Sequence, residues 1–347
     1  MKGIYDVRCV RDIYQIVKRH YDFNIRNFKI TDVPLSVFHH FRRDLQESSN
    51  SYLNFAFAYT YADTCKHSYH ITCVGTEINL YVLMDAKITP KIKKQFFKNL
   101  YRVCLITAIY GISKPFNFYI IMNPLKRCMP SKKDDDIDVV NVNGGYTYIN
   151  KDNIYIIRKE DYGKVMLHEL LHHNTTMHHQ DWDASNIRRL KEHFKIHEEM
   201  LLLPNEAIIE TYACILNTIF YSIETTKGVE TPFGVETASK GVETTTNSLS
   251  ENLKRDQEHS LCLAKRIIDK QDGRDGGVWN EKTHSFCYIV FKTILYVYVN
   301  QFLKIYRYQN DTAITDFLLQ YSPKIYRRLR RMRRDKRTDL KQTIYEE

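Results

Sequence analysis

Ile4, Val7, Val10, Ile13 and Val17 recur at the spacing of one helix face, and Ile92, Phe96, Leu100, Val103 and Cys104 repeat that pattern up to Gly111, a residue suited to ending a helix. Between them, residues 52–61 and 69–84 are rich in aromatic and β-branched positions and predict strands. Phe116, Phe118 and Ile120 alternate in a further strand that Pro124 stops. Residues 139–142, 146–149 and 154–157 are short β-rich runs separated by Asn143-Gly144-Gly145 and Asn150-Lys151-Asp152-Asn153, which predicts a meander. The polar residues 126–136 predict an exposed loop, and from Asp161 onward the periodicity is almost wholly helical. The fold class is therefore α+β: a mixed-sheet lobe over residues 1–160 feeding a mostly helical lobe over residues 161–323.

Within the first of those later helices, Val165, Met166, Leu167, Leu170 and Leu171 form an apolar stripe, with Glu160 and Asp161 where the helix should begin. The same segment carries His168-Glu169-Leu170-Leu171-His172. Histidines at i and i+4 project from one face and can share a metal ion, with Glu169 beside them to take a proton from water rather than to bind the metal. A buried helix has little reason to carry these three polar groups unless something satisfies them.

A catalytic zinc takes three protein ligands, so a third has to come from elsewhere. Two candidates compete. Pro204 can open a second helix, in which Glu206 and Glu210 share a face. One of them could bind the metal while the other accepts the free ring N–H of a ligating histidine. His178 is the alternative metal ligand, at the last position of an H-E-x-x-H-x-x-G-x-x-H pattern, although Thr175 stands where that pattern needs glycine. His173, His178 and His179 otherwise decorate an exposed loop.

The H-E-x-x-H followed by Asn205-Glu206-Ala207-x-x-Glu210 resembles the gluzincin group of zinc metallopeptidases, over residues 158–213. That resemblance implies a zincin-like fold with the active-site cleft between the two lobes. It implies Zn2+ as cofactor, His168, His172 and Glu206 as ligands, Glu169 as general base and Glu210 as support for a ligating histidine. It further implies an edge strand of the meander that pairs with an extended peptide or protein substrate, and a downstream His or Tyr that stabilises the oxyanion. His284 and Tyr288, at i and i+4 in an apolar helix, fit that last role, with Tyr212 as another option. Glu210 departs from the aspartate frequent in the family, and the gap from His172 to Glu206 is longer than in thermolysin-like members.

Composition narrows the setting. With 43% hydrophobic and 27% charged residues the chain is globular rather than disordered. Charges near Met1 interrupt any signal-peptide core, and the longest apolar stretch, residues 286–299, is broken by Lys292. Eight dispersed cysteines without a C-x-x-C pair predict reduced thiols and an intracellular, cytoplasmic or nuclear, location. Low glycine with abundant Tyr, Lys, Asn and Ile is the bias of an AT-rich genome, such as that of a large DNA virus, and would suit a virion-associated protein.

Residues 225–247 hold three Gly-Val-Glu-Thr repeats with few large apolar side chains, which predicts a mobile surface insertion. Residues 324–347 begin with a basic cluster that includes Arg327, Arg328, Arg330, Arg331, Arg333 and Arg334 and carries most of the formal +10 charge. It predicts a nucleic-acid contact or an import signal, with Ile325, Leu329 and Met332 as the apolar edge of a docked helix. A catalytically inactive structural or nucleic-acid-binding protein is thus the alternative to the peptidase.

Overall fold

A computed structural model describes residues 9–47, 55–112, 114–132, 135–149, 151–174, 182–226, 244–306, 310–333 and 337–345. His178, His179, Arg334 and most of the repeat insertion lie outside them. The described strands are β1 (Phe28–Asp32), β2 (His67–Cys73), β3 (Ile78–Met84), β4 (Phe116–Ile121), β5 (Gly145–Thr147) and β6 (Asn153–Ile156), forming one sheet of order β1-β2-β3-β4-β6-β5. Pairing is antiparallel except for β3 with β4 and β4 with β6, which are parallel. The helices are α1 (Val10–His20), α2 (His39–Glu47), α3 (Ala56–Thr64), α4 (Pro90–Tyr110), α5 (Val139–Val142), α6 (Tyr162–His172), α7 (Ala184–Phe194), α8 (Asn205–Thr226), α9 (Thr244–Asp272), α10 (Lys292–Val297), α11 (Val299–Ile305) and α12 (Asp311–Arg331). The molecule is α+β, and every described strand precedes α6.

One expected strand, 139–142, is a helix, and another, 52–61, is helical over described residues 56–61. In residues 52–61 the alternation of aromatics with alanine imitates a strand, but Ala58 and Ala62, spaced i, i+4, turn a small buried face of α3 inward. In residues 139–142 the Asp138 side chain caps the first turn while the Asn141 side chain reaches back to the Asp138 N–H, and this reciprocal cap overrides the β preference of three valines. Gly111 does end α4, at φ 65°.

Alternation along the strands gives the sheet two buried faces. Leu80, Val82, Phe118, Ile120, Ile154 and Ile156 join the main core with α1, α4, α6 and α8. Leu83, Tyr119, Ile121, Tyr155 and Ile157 turn the other way, under α2 and α3. On that second face His70, Tyr81, Tyr119, Tyr155 and Tyr146 stand opposite one another across β2, β3, β4, β6 and β5, with successive rings stacked 4.5–5.8 Å apart. A slip of one residue would throw every ring to the opposite face, so the ladder holds β5 in register at the sheet's edge.

The expected exposed loop is exposed only in part, because the Arg127 guanidinium is buried and bonded to Glu160, Asp161 and the Val142 carbonyl. The start of the basic segment is a docked helix, with the expected apolar edge turned inward. Residues 324–331 are the last turns of α12, with Ile325 and Leu329 buried, and Leu340, Gln342, Thr343 and Tyr345 are buried further on. No single described helix is long and apolar enough to cross a membrane; the apolar run Phe286–Val297 with Val299–Ile305 is bent by 91° and largely buried in the core.

Candidate metal centre

α6 crosses the centre of the molecule against α4, α8, β5 and β6, and from Tyr162 to Leu171 every residue of it is buried. Such a helix must fit closely. A Cβ on Gly163 would lie 2.6 Å from the buried Asn99 side chain of α4, and one on Gly145, where β5 starts, 2.6 Å from the Tyr155 carbonyl. Asp161 stands at the start of the helix as expected, at φ 58° and without a side-chain cap bond; its carboxylate accepts from Arg127 and from the Gln342 backbone N–H at 2.7 Å. At the other end His173 is no loop decoration. It is buried and bonded to Thr147 of β5 at 2.7 Å, and burial pushes its ring down to about 4.

One turn apart on α6, His168 and His172 face the first turns of α8. The His168 Nδ1 meets Glu210 Oε2 at 2.9 Å, which places a proton on Nδ1 and, in the neutral ring, leaves the lone pair on Nε2. That Nε2 lies 3.2 Å from His172 Nε2 and 3.3 Å from Glu206 Oε2, while His172 Nε2 lies 3.5 Å from the same oxygen. Glu206 Oε2 is buried without a well-formed hydrogen bond, and the two ring nitrogens are its near polar neighbours. Lone pairs converging in a buried space repel unless a cation or proton lies among them. A tetrahedral ion with bonds of about 2.05 Å has ligand atoms about 3.3 Å apart, the size of this triangle. His168, His172 and Glu206 therefore form a cluster able to hold a metal ion.

Charge points the same way. Burial opposes ionisation of Glu210, but Lys164 and His168 outweigh it and hold the carboxyl down to about 2. Burial also opposes a charge on His168, yet the carboxylates of Glu206, Glu210 and Glu169 push its ring up to about 10. Glu169 itself is pushed up by burial. Glu206 and Glu210, both held ionised, outnumber Lys164 and leave negative charge at the cluster, which a proton on His168 or a cation bound in its place can balance.

Lys164 escaped the sequence reading. It sits one turn before His168, buried and paired with the Glu210 oxygen that His168 does not use. A lone lysine in an otherwise apolar helix, four residues before the first histidine, was the available signal. Tyr288 is brought to the site, its ring 5.8 Å from that of His168, on the π-helical turn Phe286–Phe291 that interrupts the expected regular helix. His284 is near as well: its ring is bonded to the Leu201 backbone, lies 6.3 Å from that of Tyr288 and feels the charge of Glu206. Tyr212 packs in the core against Phe302 and Tyr306. Glu169, His168 and Tyr288 line a cavity with Val142, Gly145 and Gln342.

No protein-family model, no curated protein and no solved structure matches the chain.

Proposed function

We propose that the chain is a zinc-dependent peptidase of gluzincin type, acting on a peptide or protein substrate. The observation that carries this is the triangle of His168, His172 and Glu206, with the buried carboxylate of Glu169 facing the adjoining cavity from α6. Zinc in such a donor set supplies a Lewis acid that acidifies water and polarises a carbonyl. Glu169 takes one proton from the attacking water as its oxygen bonds to the peptide carbon, and returns that proton to the nitrogen as the C–N bond breaks. Burial keeps the Tyr288 phenol protonated, so it can donate to the oxygen on which negative charge develops. Glu210 holds the His168 ring in the tautomer that presents Nε2. β5, at the edge of the described sheet, offers backbone groups to an extended peptide.

The test is a pair of substitutions assayed for both metal and turnover. Glu169→Gln should keep the metal and lose about 10²–10⁴-fold in peptide hydrolysis; His168→Ala should lose both. Full hydrolysis by Glu169→Gln would sink the mechanism.

A second reading, binding of nucleic acid, is favoured by one observation. Lys324, Arg327, Arg328, Arg330 and Arg331 are all exposed on the last turns of α12. Reversing Arg327, Arg330 and Arg331 to glutamate should abolish salt-sensitive retention on nucleic acid if that face binds it, and leave retention unchanged if it does not.

A further inference from the structure

Gln342 is the feature that the proposed mechanism leaves unused. The residue is 4% exposed, its Oε1 has no hydrogen-bond partner, and it lines the cavity that Glu169, His168 and Tyr288 share. An orphaned buried amide oxygen has lost its water and gained nothing in exchange, so its retention calls for an explanation.

The segment carrying it is held firmly. The Met129 N–H donates to the Thr338 carbonyl at 2.7 Å, and Leu340 N–H to the Arg127 carbonyl at 3.0 Å. Gln342 N–H donates to Asp161 at 2.7 Å, Asn217 donates to Thr343 Oγ1 at 3.0 Å, and the Tyr345 ring stacks on Tyr221 at 4.2 Å. The amide is thus fixed where it stands.

The basic groups of the cavity are engaged elsewhere. Arg127 serves Glu160, Asp161 and the Val142 carbonyl, and Lys164 serves Glu210. Val142, Val165 and Gly145 supply the apolar side of the lining, opposite His168, Glu169 and Tyr288, and the cavity volume is about 40 Å³. A water needs about 10–15 Å³ of such space and a benzene-sized guest about 150 Å³, so the cavity suits a hydroxymethyl group better than a leucine side chain.

We infer that Gln342 is a specificity residue: the cavity receives a small, hydrogen-bonding side chain of the substrate, serine foremost, next to the scissile bond. A hydroxyl both donates and accepts, so it satisfies the amide in either orientation. The cavity adjoins Glu169 and begins where β5 begins, so a peptide lying along that edge directs a side chain into it. This inference rests on the peptidase reading and deepens it.

The experiment digests a degenerate peptide library with the zinc-loaded full-length chain and reads the cleavage sites by mass spectrometry. Wild type should select serine, then alanine, at one position flanking the cut, with leucine and larger residues disfavoured at least about tenfold. Gln342→Ala should reduce the serine-over-alanine preference about tenfold and admit larger residues. If Gln342→Ala fails to fold, the isosteric Gln342→Glu should still change the serine preference while excluding large residues. Cleavage by wild type without a small-residue preference, or a profile unchanged in both variants, overturns the inference and leaves the peptidase standing. No cleavage by wild type removes the peptidase and the inference together.

Discussion

Lys164 shows how a single side chain can set the properties of a site it does not enter. Its ammonium takes one oxygen of Glu210, which leaves the other for the His168 Nδ1 and thereby aims Nε2 at the cluster. Replacing it with methionine should strand a buried carboxylate and weaken metal affinity by about 10–100-fold, measured by competition with a chelator. Affinity equal to wild type would show that the pair has no part in holding the ring. His168, Glu169, His172, Glu206 and Glu210 were legible in the sequence because their spacing within a helix maps directly onto one face. Gln342 and Arg127 were not, because they reach the site through chain reversals that no local period records.

At the scale of elements, the close fit of α6 to β5 and α4 governs what the motif can do. Gly145→Ala would push a methyl group into the Tyr155 carbonyl, and we expect a loss of about 1–3 kcal/mol in denaturant unfolding, the usual range for overpacking. An unchanged midpoint would mean that β5 can move aside. Strands β2, β3, β4 and β6 were legible because burial on both faces selects apolar and aromatic residues along them. The strand expectations for residues 52–61 and 139–142 failed for separate reasons. Packing of a small Ala58 and Ala62 face decided one, and the Asp138–Asn141 cap decided the other. The π-helical turn that delivers Tyr288 has no sequence signal we can identify.

Across the whole molecule, the last described residues tie the sheet side to the helical side. His259 takes part, its Nε2 donating to the Lys341 carbonyl at 2.7 Å, and burial pushes its ring down to about 4 from an ordinary 6.5. Above that ordinary value both folded and unfolded rings are neutral. As pH falls from 6.5 towards 4 the unfolded chain binds a proton that the folded chain refuses, so stability falls through that window. His259→Asn should flatten this part of the unfolding curve relative to wild type; parallel curves would show that the ring is not held neutral. The α+β class, the helical second half and the docked edge of Ile325 and Leu329 followed from periodicity, whereas the burial of Leu340, Gln342, Thr343 and Tyr345 had no periodic signal.

The central claim is that three side chains from two helices hold one metal ion. Its most direct test is the zinc content of the purified full-length chain after equilibration with zinc and removal of excess, compared with Glu206→Ala and Glu169→Gln. The account predicts about one zinc per chain in wild type and in Glu169→Gln, and loss of it in Glu206→Ala, as expected of a three-ligand site. No bound zinc in wild type, or full occupancy in Glu206→Ala, would contradict it.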